Sequence, residues 1–247
     1  MSLFMLNAHN PQAGFINGVP IVLNSDQVKS FATNLQSVEF ITQSLYDSAT
    51  YPAAGIAALT FFQSAIGGGV SPLNGAAKTL EDTNMLTAGF LPNGQAYLLT
   101  AIELDIETGF GVSGSLNPTA ARPSVYGAGA ASTQVNDMWL LREMGSLTLN
   151  ISSKPYMQEG PLMRFPPSND FDVGAGASDT TSPGSNQQYR TAFGKAIGPN
   201  YQLAPNNLLL ISMMNFSVVL NWAVPPVLTT AARIFARFTG QLMRVAQ

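Results

Sequence analysis

Three carboxylates set two residues apart, Glu103, Asp105 and Glu107, are the strongest candidate for chemistry in this 247-residue chain. They lie in a run where Leu98, Thr100, Ile102, Leu104 and Ile106 alternate with Leu99, Ala101, Glu103, Asp105 and Glu107. A period of two predicts a strand with all three carboxylates on one face, about 7 Å from one to the next. Such a row could hold calcium, or pair with Arg233 or Arg237 of another copy. Divalent sites usually draw loop oxygens from several segments. Solvated or interface carboxylates are therefore the expected role, and no metal or cofactor is expected.

Little else in the chain offers a reaction. His9 is the one histidine and sits near an N-terminus rich in turn signals, far from the pattern of a Ser-His-Asp triad or a histidine metal cluster. The chain has no cysteine, which removes disulfides, thiolate catalysis and cysteine-based zinc sites. Gly109-Phe110-Gly111-Val112-Ser113-Gly114 matches a dinucleotide fingerprint and follows a strand, but Pro118 and Pro123 deny the helix that must begin there. Gly194-Lys195 is followed by Ala196 and lacks the upstream glycine of a phosphate-binding loop. The sequons at Asn150 and Asn215 fall within expected strands and read as chance. Arg233, Arg237 and Arg244 lack the dense basic stripe of a nucleic-acid surface. An enzyme is not expected.

The elements that must position these residues are written in the spacing of apolar and turn residues. Asn10-Pro11, Asn17-Gly18 and Val19-Pro20 make residues 1–23 read as irregular. Val28, Phe31, Leu35, Val38, Ile41 and Leu45 then recur at helical spacing, with Asn24 or Ser25 as cap and Tyr51-Pro52 as stop. This amphipathic helix completes an N-terminal arm over residues 1–50, and its apolar face, Val28, Phe31 and Leu35, is a candidate subunit contact. From residue 51 to 247 aliphatic and aromatic runs alternate with Gly, Pro, Asn and Ser stretches, as in an antiparallel sandwich. Strands are expected at 56–66, 80–88, 95–107, 146–152, 206–212, 214–222 and 231–245. Residues 133–144 fit a short helix or an eighth strand, and 187–197 fit another short helix. Long loops are expected at 109–132 and 166–186. The fold class is all-β.

Composition speaks to partners. Only 11 basic and 14 acidic residues occur, 10% of the chain, against about a quarter in an ordinary soluble domain. A surface of hydroxyls, amides and small apolar groups loses less solvation when it meets another surface, which suits a self-packing subunit. Charge is also lopsided. Before Thr180 there are six basic and fourteen acidic residues, and after it five basic and none acidic. Copies could meet acid to base, with Arg233, Arg237 and Arg244 as contacts, unless strands of the two halves interleave and cancel the asymmetry. Met1-Ser2-Leu3-Phe4-Met5-Leu6 has no basic n-region, which argues against a secretory signal. The apolar stretch 53–62 is too short to span a bilayer, and 208–224 carries Ser212, Asn215, Ser217 and Asn221.

Three blocks carry a resemblance. The first is Thr79-Leu80-Glu81-Asp82-Thr83-Asn84-Met85 with Gly89-Phe90-Leu91-Pro92-Asn93-Gly94-Gln95. The second is Lys154-Pro155-Tyr156-Met157-Gln158-Glu159-Gly160-Pro161-Leu162, continued by Arg164-Phe165-Pro166-Pro167. The third runs from Ala232-Arg233-Ile234 to Phe238-Thr239-Gly240-Gln241-Leu242-Met243-Arg244. Over residues 55–247 the chain resembles the jelly-roll major capsid proteins of tailless icosahedral bacteriophages, many of which contain a membrane. The resemblance implies an antiparallel jelly-roll sandwich, here one eight-stranded roll. The alternative is a compact double jelly roll, which needs about sixteen strands. It implies a structural protein of the virion, assembled in the host cytoplasm. That protein self-assembles into trimeric or pseudo-hexagonal capsomers and an icosahedral shell. Its partners would be other virion proteins and, on the inner face, an internal membrane or the packaged genome. A receptor- or carbohydrate-binding β-sandwich such as a virion spike is the alternative, with Tyr126, Tyr156, Tyr189, Tyr201 and Trp222 as its aromatics.

Overall fold

Two long strands carry the fold, and both follow from alternation. In Ala231–Val245 (β15), Ala232, Ile234, Ala236, Phe238 and Leu242 all point into the core. Its antiparallel neighbour is Gln95–Phe110 (β7). The protein is described by a computed structural model covering residues 4–7, 10–16, 19–22, 38–110, 130–152, 154–167, 172–174, 190–192, 200–204 and 207–245. It is mostly β, with two main antiparallel sheets, as the alternation predicts.

The larger sheet is built around β7 and β15. Val38–Thr42 (β4) and Leu45–Tyr51 (β5) lie in line along β15. Along the free side of β7, Tyr201–Gln202 (β12) and Leu208–Ile211 (β13) lie in line. The smaller sheet runs β6-β14-β8-β9, made of Ala58–Phe61 (β6), Gly145–Ile151 (β8), Lys154–Glu159 (β9) and Phe216–Trp222 (β14). With each in-line pair counted once, these two sheets hold eight strands among the described residues. In chain order they stand 6-3-8-1 in the larger sheet and 2-7-4-5 in the smaller. The core lies between the sheets, where Phe62 meets Phe238 at 4.6 Å and Phe216 at 5.5 Å, and Tyr51 meets Trp222 edge-on at 4.8 Å. Ala130–Met144 is a helix (α1) leading straight into β8, so the helix option at 133–144 holds. The Trp222 indole N–H donates to the Leu141 carbonyl at 3.1 Å and ties the helix end to the core. Among the described residues no helix is long and apolar enough to cross a membrane.

Several expectations are corrected. Within residues 1–23, expected to be irregular, the described residues Phe4–Asn7 (β1), Asn10–Ile16 (β2) and Val19–Val22 (β3) form a three-stranded sheet. Ile16 pairs with Val19, so only Asn17-Gly18 separates β2 from β3, and Asn-Gly is the strongest short hairpin signal. The amphipathic helix fails over residues 38–45, which lie in β4, β5 and their junction. Pairing with β15 outweighs a helical spacing that only Val38, Ile41 and Leu45 supply here. Residues 24–37, with Val28, Phe31 and Leu35, lie outside the described residues. The boundary at residue 50 therefore falls inside the body of the larger sheet. Residues 80–88 form no strand: Met85 is buried, but Leu80 and Leu86 are exposed, and only Thr83 bridges to Asp47. Residues 190–192 are strand Arg190–Ala192 (β11), not helix; they pair with Asp172–Gly174 (β10), which interrupts the loop expected at 166–186. Of the loop expected at 109–132, residues 111–129 lie outside the described residues.

One bulge sets which residues of β7 face inward. Ala101 pairs with Thr239 but Leu99 with Gly240, leaving Thr100 as the extra residue. The inward face switches there from Tyr97 and Leu99 to Ile102, Leu104 and Ile106, so Leu98 does not share the face of Ile102. The two backbones approach closely at the bulge, where a Cβ on Gly240 would overlap the Leu98 carbonyl oxygen. Gly240→Ala should therefore lower stability by at least the ~1–3 kcal/mol of ordinary overpacking. Urea denaturation would show it, and an unchanged midpoint would contradict the close approach.

Candidate functional site

The antiparallel register of β7 and β15 decides what the three carboxylates do. Glu107 stands opposite Arg233, Asp105 opposite Phe235, and Glu103 opposite Arg237. The carboxylates and arginines share the outer face of the larger sheet, since Ile102, Leu104, Ile234 and Ala236 occupy the inner one. Arg233 comes within 3.9 Å of Glu107, and Arg237 within 4.0 Å of Glu103. Glu103 is buried; its Oε1 accepts from the Thr239 hydroxyl at 2.6 Å and the Asn200 amide at 2.7 Å. Among the described residues no three His, Asp or Glu side chains are grouped to hold a metal ion. The row is a cross-strand charge ladder within one chain.

Arg233 was expected at a subunit contact, but it is buried in its own chain. Its guanidinium donates to Asp82 at 3.0 Å and to the Glu81 carbonyl at 2.7 Å, and it lies over the Phe235 ring at 4.1 Å. Burial lowers its pKa, opposed first by Glu107 and then by Asp82. Arg237 is partly exposed beside Glu103, and the half-exposed Arg244 meets Glu39 at 2.7 Å. Three of the five basic residues after Thr180 thus pair with acids from the first half of the chain. The sheet interleaves the halves and cancels much of the lopsided charge.

The charged residues that sequence reasoning missed form a clamp around β5. The connection from β6 to β7, residues 62–94, contains no strand, yet Phe62, Met85 and Leu91 anchor it in the core. Between those anchors Lys78 reaches Asp47 at 2.7 Å, with side chains 7% and 1% exposed. Asp47 also accepts the Phe62 N–H at 2.6 Å. Burial raises the Asp47 carboxyl above its ordinary range, an effect Lys78 and the Phe62 N–H only partly offset. On the outer face Asp82, fully buried, accepts from Arg233, from the Ser48 hydroxyl at 3.3 Å and from the Thr79 N–H at 3.2 Å. The available signal was scarcity: Lys78 beside Glu81-Asp82 is a local cluster in a chain with few charges.

Exposed apolar side chains define the other candidate surface. Among the described residues twelve large ones are exposed, and of these only Tyr156 lies within a strand. At one end of the sandwich Ile56, Val224 and Val227 lie on adjoining loops, where Leu228 N–H bonds Ala53 O and Trp222 N–H bonds Ala57 O, each at 2.9 Å. Trp139 and Met144 stand on α1, whose Asp137 accepts the Thr229 N–H at 2.8 Å. Toward the opposite end Met213 is exposed, its N–H bonded to Leu91 O at 3.3 Å. The connection from β6 to β7 that holds Leu91 also exposes Ile66, Val70, Leu80 and Leu86. No family model, curated protein or solved structure matches this chain. The site must therefore be read from its own geometry. Among the aromatics of the carbohydrate-binding alternative, Trp222 is core, and the Tyr201 ring meets Phe165 at 4.6 Å in a tilted contact beneath Arg164. Tyr156 is exposed, and Tyr126 and Tyr189 lie outside the described residues.

Proposed function

We propose that this protein is the structural subunit of an icosahedral coat, built on a single jelly roll, that packs against copies of itself through its loop ends. The strand order supports the roll. Orders 6-3-8-1 and 2-7-4-5 come from winding one long hairpin of four strand pairs, 1 with 8, 2 with 7, 3 with 6 and 4 with 5, into two facing sheets. Eight strands with two Greek keys make one such roll, a fold used by viral capsids but also by lectins. Fold alone does not assign function.

The observation that carries the self-packing is where the apolar surface lies. Loops at both ends of the sandwich expose apolar side chains, and backbone hydrogen bonds pin those loops. Exposed apolar patches mark interaction sites, and pinned loops lose little entropy on docking. Copies meeting at such patches, each about 800 Å² per partner, could close a shell without any strong single contact. Other virion proteins, and a membrane or genome on the inner face, would be the remaining neighbours.

The test is native mass by light scattering with negative-stain imaging at two ionic strengths. Shells, or trimers and hexamers that extend into sheets, are expected. Salt should matter little, because Arg233, Arg237 and Arg244 already have acids in their own chain. A monomer at high concentration under both conditions would overturn the reading.

A further inference from the structure

β5 is an edge strand whose protection comes from elsewhere in the chain. β15 pairs with one side of it, and on the other the segment 78–85 bridges to it, while just after β6 the Phe62 N–H reaches only the Asp47 side chain. Edge strands usually guard themselves with Lys, Pro, bulges or inward charges. In Leu45–Tyr51 the only charge is Asp47; it points inward but is neutralised by Lys78 of the adjoining segment, so the edge depends on that segment. The N–H and C=O of Tyr46 point away from β15, and by alternation so do those of Ser48 and Thr50.

At Tyr46 a side chain takes the place of a strand. The Asn84 Oδ1 accepts the Tyr46 N–H at 2.9 Å, and its Nδ2 donates to the Ser44 carbonyl at 2.6 Å. The Tyr46 carbonyl accepts from the Thr83 hydroxyl at 3.1 Å and the Asn84 N–H at 3.3 Å. A carboxamide offers one donor side and one acceptor side in a plane, as a peptide group does. The segment also hooks round the edge from both faces. Lys78 holds Asp47 on the inner face, while Asp82 and the Leu80 carbonyl hold Ser48, Arg233 and the Tyr46 hydroxyl on the outer.

We propose that residues 78–85 are a strap that closes β5 against strand addition by a second copy of this chain, with the Asn84 carboxamide standing in for the missing peptide group. A second copy is the occupant because β5 is complementary to itself. Antiparallel pairing about Ser48 sets Leu45 against Tyr51, Tyr46 against Thr50 and Asp47 against Ala49. Aromatic residues then face aliphatic and β-branched ones, and no like charges are opposed. This does not require the coat reading, since a chain that never assembles still has the edge to close.

The chain has no cysteine, so a single Ser48→Cys reports on itself. In the strapped protein that position is fully buried. Paired about itself, it would bring two Cα atoms to about 5.5 Å, within disulfide reach. Adding Asn84→Ala to the full-length chain should open the strap about tenfold more often, as expected for losing buried hydrogen bonds. Disulfide-linked dimer should rise in proportion under mild oxidant, with β8 and β14 amides still protected from exchange. Faster Tyr46 N–H exchange without dimer would overturn pairing with a second copy. Unchanged Tyr46 exchange would overturn the role of Asn84. Asn84→Asp keeps the acceptor for Tyr46 but sets a carboxylate oxygen against the Ser44 carbonyl. If the alanine chain fails to fold, this variant should still raise the dimer yield, and no rise would overturn the proposal.

Discussion

Asp47→Asn should cost the protein about 3–5 kcal/mol, while Asp47→Leu combined with Lys78→Met should cost less, about the 1–3 kcal/mol of leaving the buried Phe62 N–H without its acceptor. The pair is 2.7 Å apart and nearly sealed from water, with side chains 7% and 1% exposed. Removing one partner strands the other charge in a poorly solvated site. Removing both replaces two desolvated ions with apolar groups beside Phe62, a core residue. The pH dependence adds a second reading. The folded-state carboxyl of Asp47 sits above the ordinary 3.8, chiefly because it is buried. The native state therefore holds this proton more tightly than the unfolded chain. Stability from this group is present at low pH and is lost as pH rises through the raised value. Relative to wild type, the double variant should gain stability with rising pH across that window and stay level above it. Urea denaturation at several pH values checks both statements. A single variant no worse than the double would show that the pair contributes little.

What the sequence made legible follows from how each strand is exposed. β8, β14 and β15 were legible because each buries one face, so Leu147 and Leu149, or Phe216, Val218, Leu220 and Trp222, repeat with period two. β9 was not, because Lys154 to Glu159 form a largely exposed sheet edge and show no apolar period. β4 and β5 were masked by the helical spacing of Val38, Ile41 and Leu45; only β15, some two hundred residues away, makes them strands. The bulge at Thr100 is a property of two backbones, and neither strand announces it. The carboxylate row was legible as a row. Its partners were not, because register between β7 and β15 decides whether Arg233 and Arg237 serve their own chain or another. The clamp joins Asp47, Lys78, Asp82 and Arg233 from three distant segments, and side-chain spacing within any one of them carries no trace of it.

On the proposed packing through the loop ends, Val224→Asp with Val227→Asp should abolish assembly and leave the fold intact. Both valines are well exposed, 65% and 73%, and flank Pro225-Pro226 in the turn from β14 to β15. The turn is held on its inner side: the Tyr51 hydroxyl donates to Pro226 O and the Leu228 N–H to Ala53 O, each at 2.9 Å. The two prolines and these bonds hold the valines outward before any partner arrives. Substitutions at such exposed sites change stability by only about 0.5 kcal/mol, so the melting temperature should barely move. At an interface centre, losing an apolar anchor costs about 2 kcal/mol or more. That raises the concentration needed for assembly by roughly thirtyfold for each contact. Arg244→Ala supplies the contrast. Its pair with Glu39 is half exposed on both sides and worth at most about 1 kcal/mol, so assembly should shift little. Light scattering across a dilution series separates the outcomes. If the valine variant assembles normally and the arginine variant does not, the contacts between copies are electrostatic and lie on the sheet edge rather than at the loop ends.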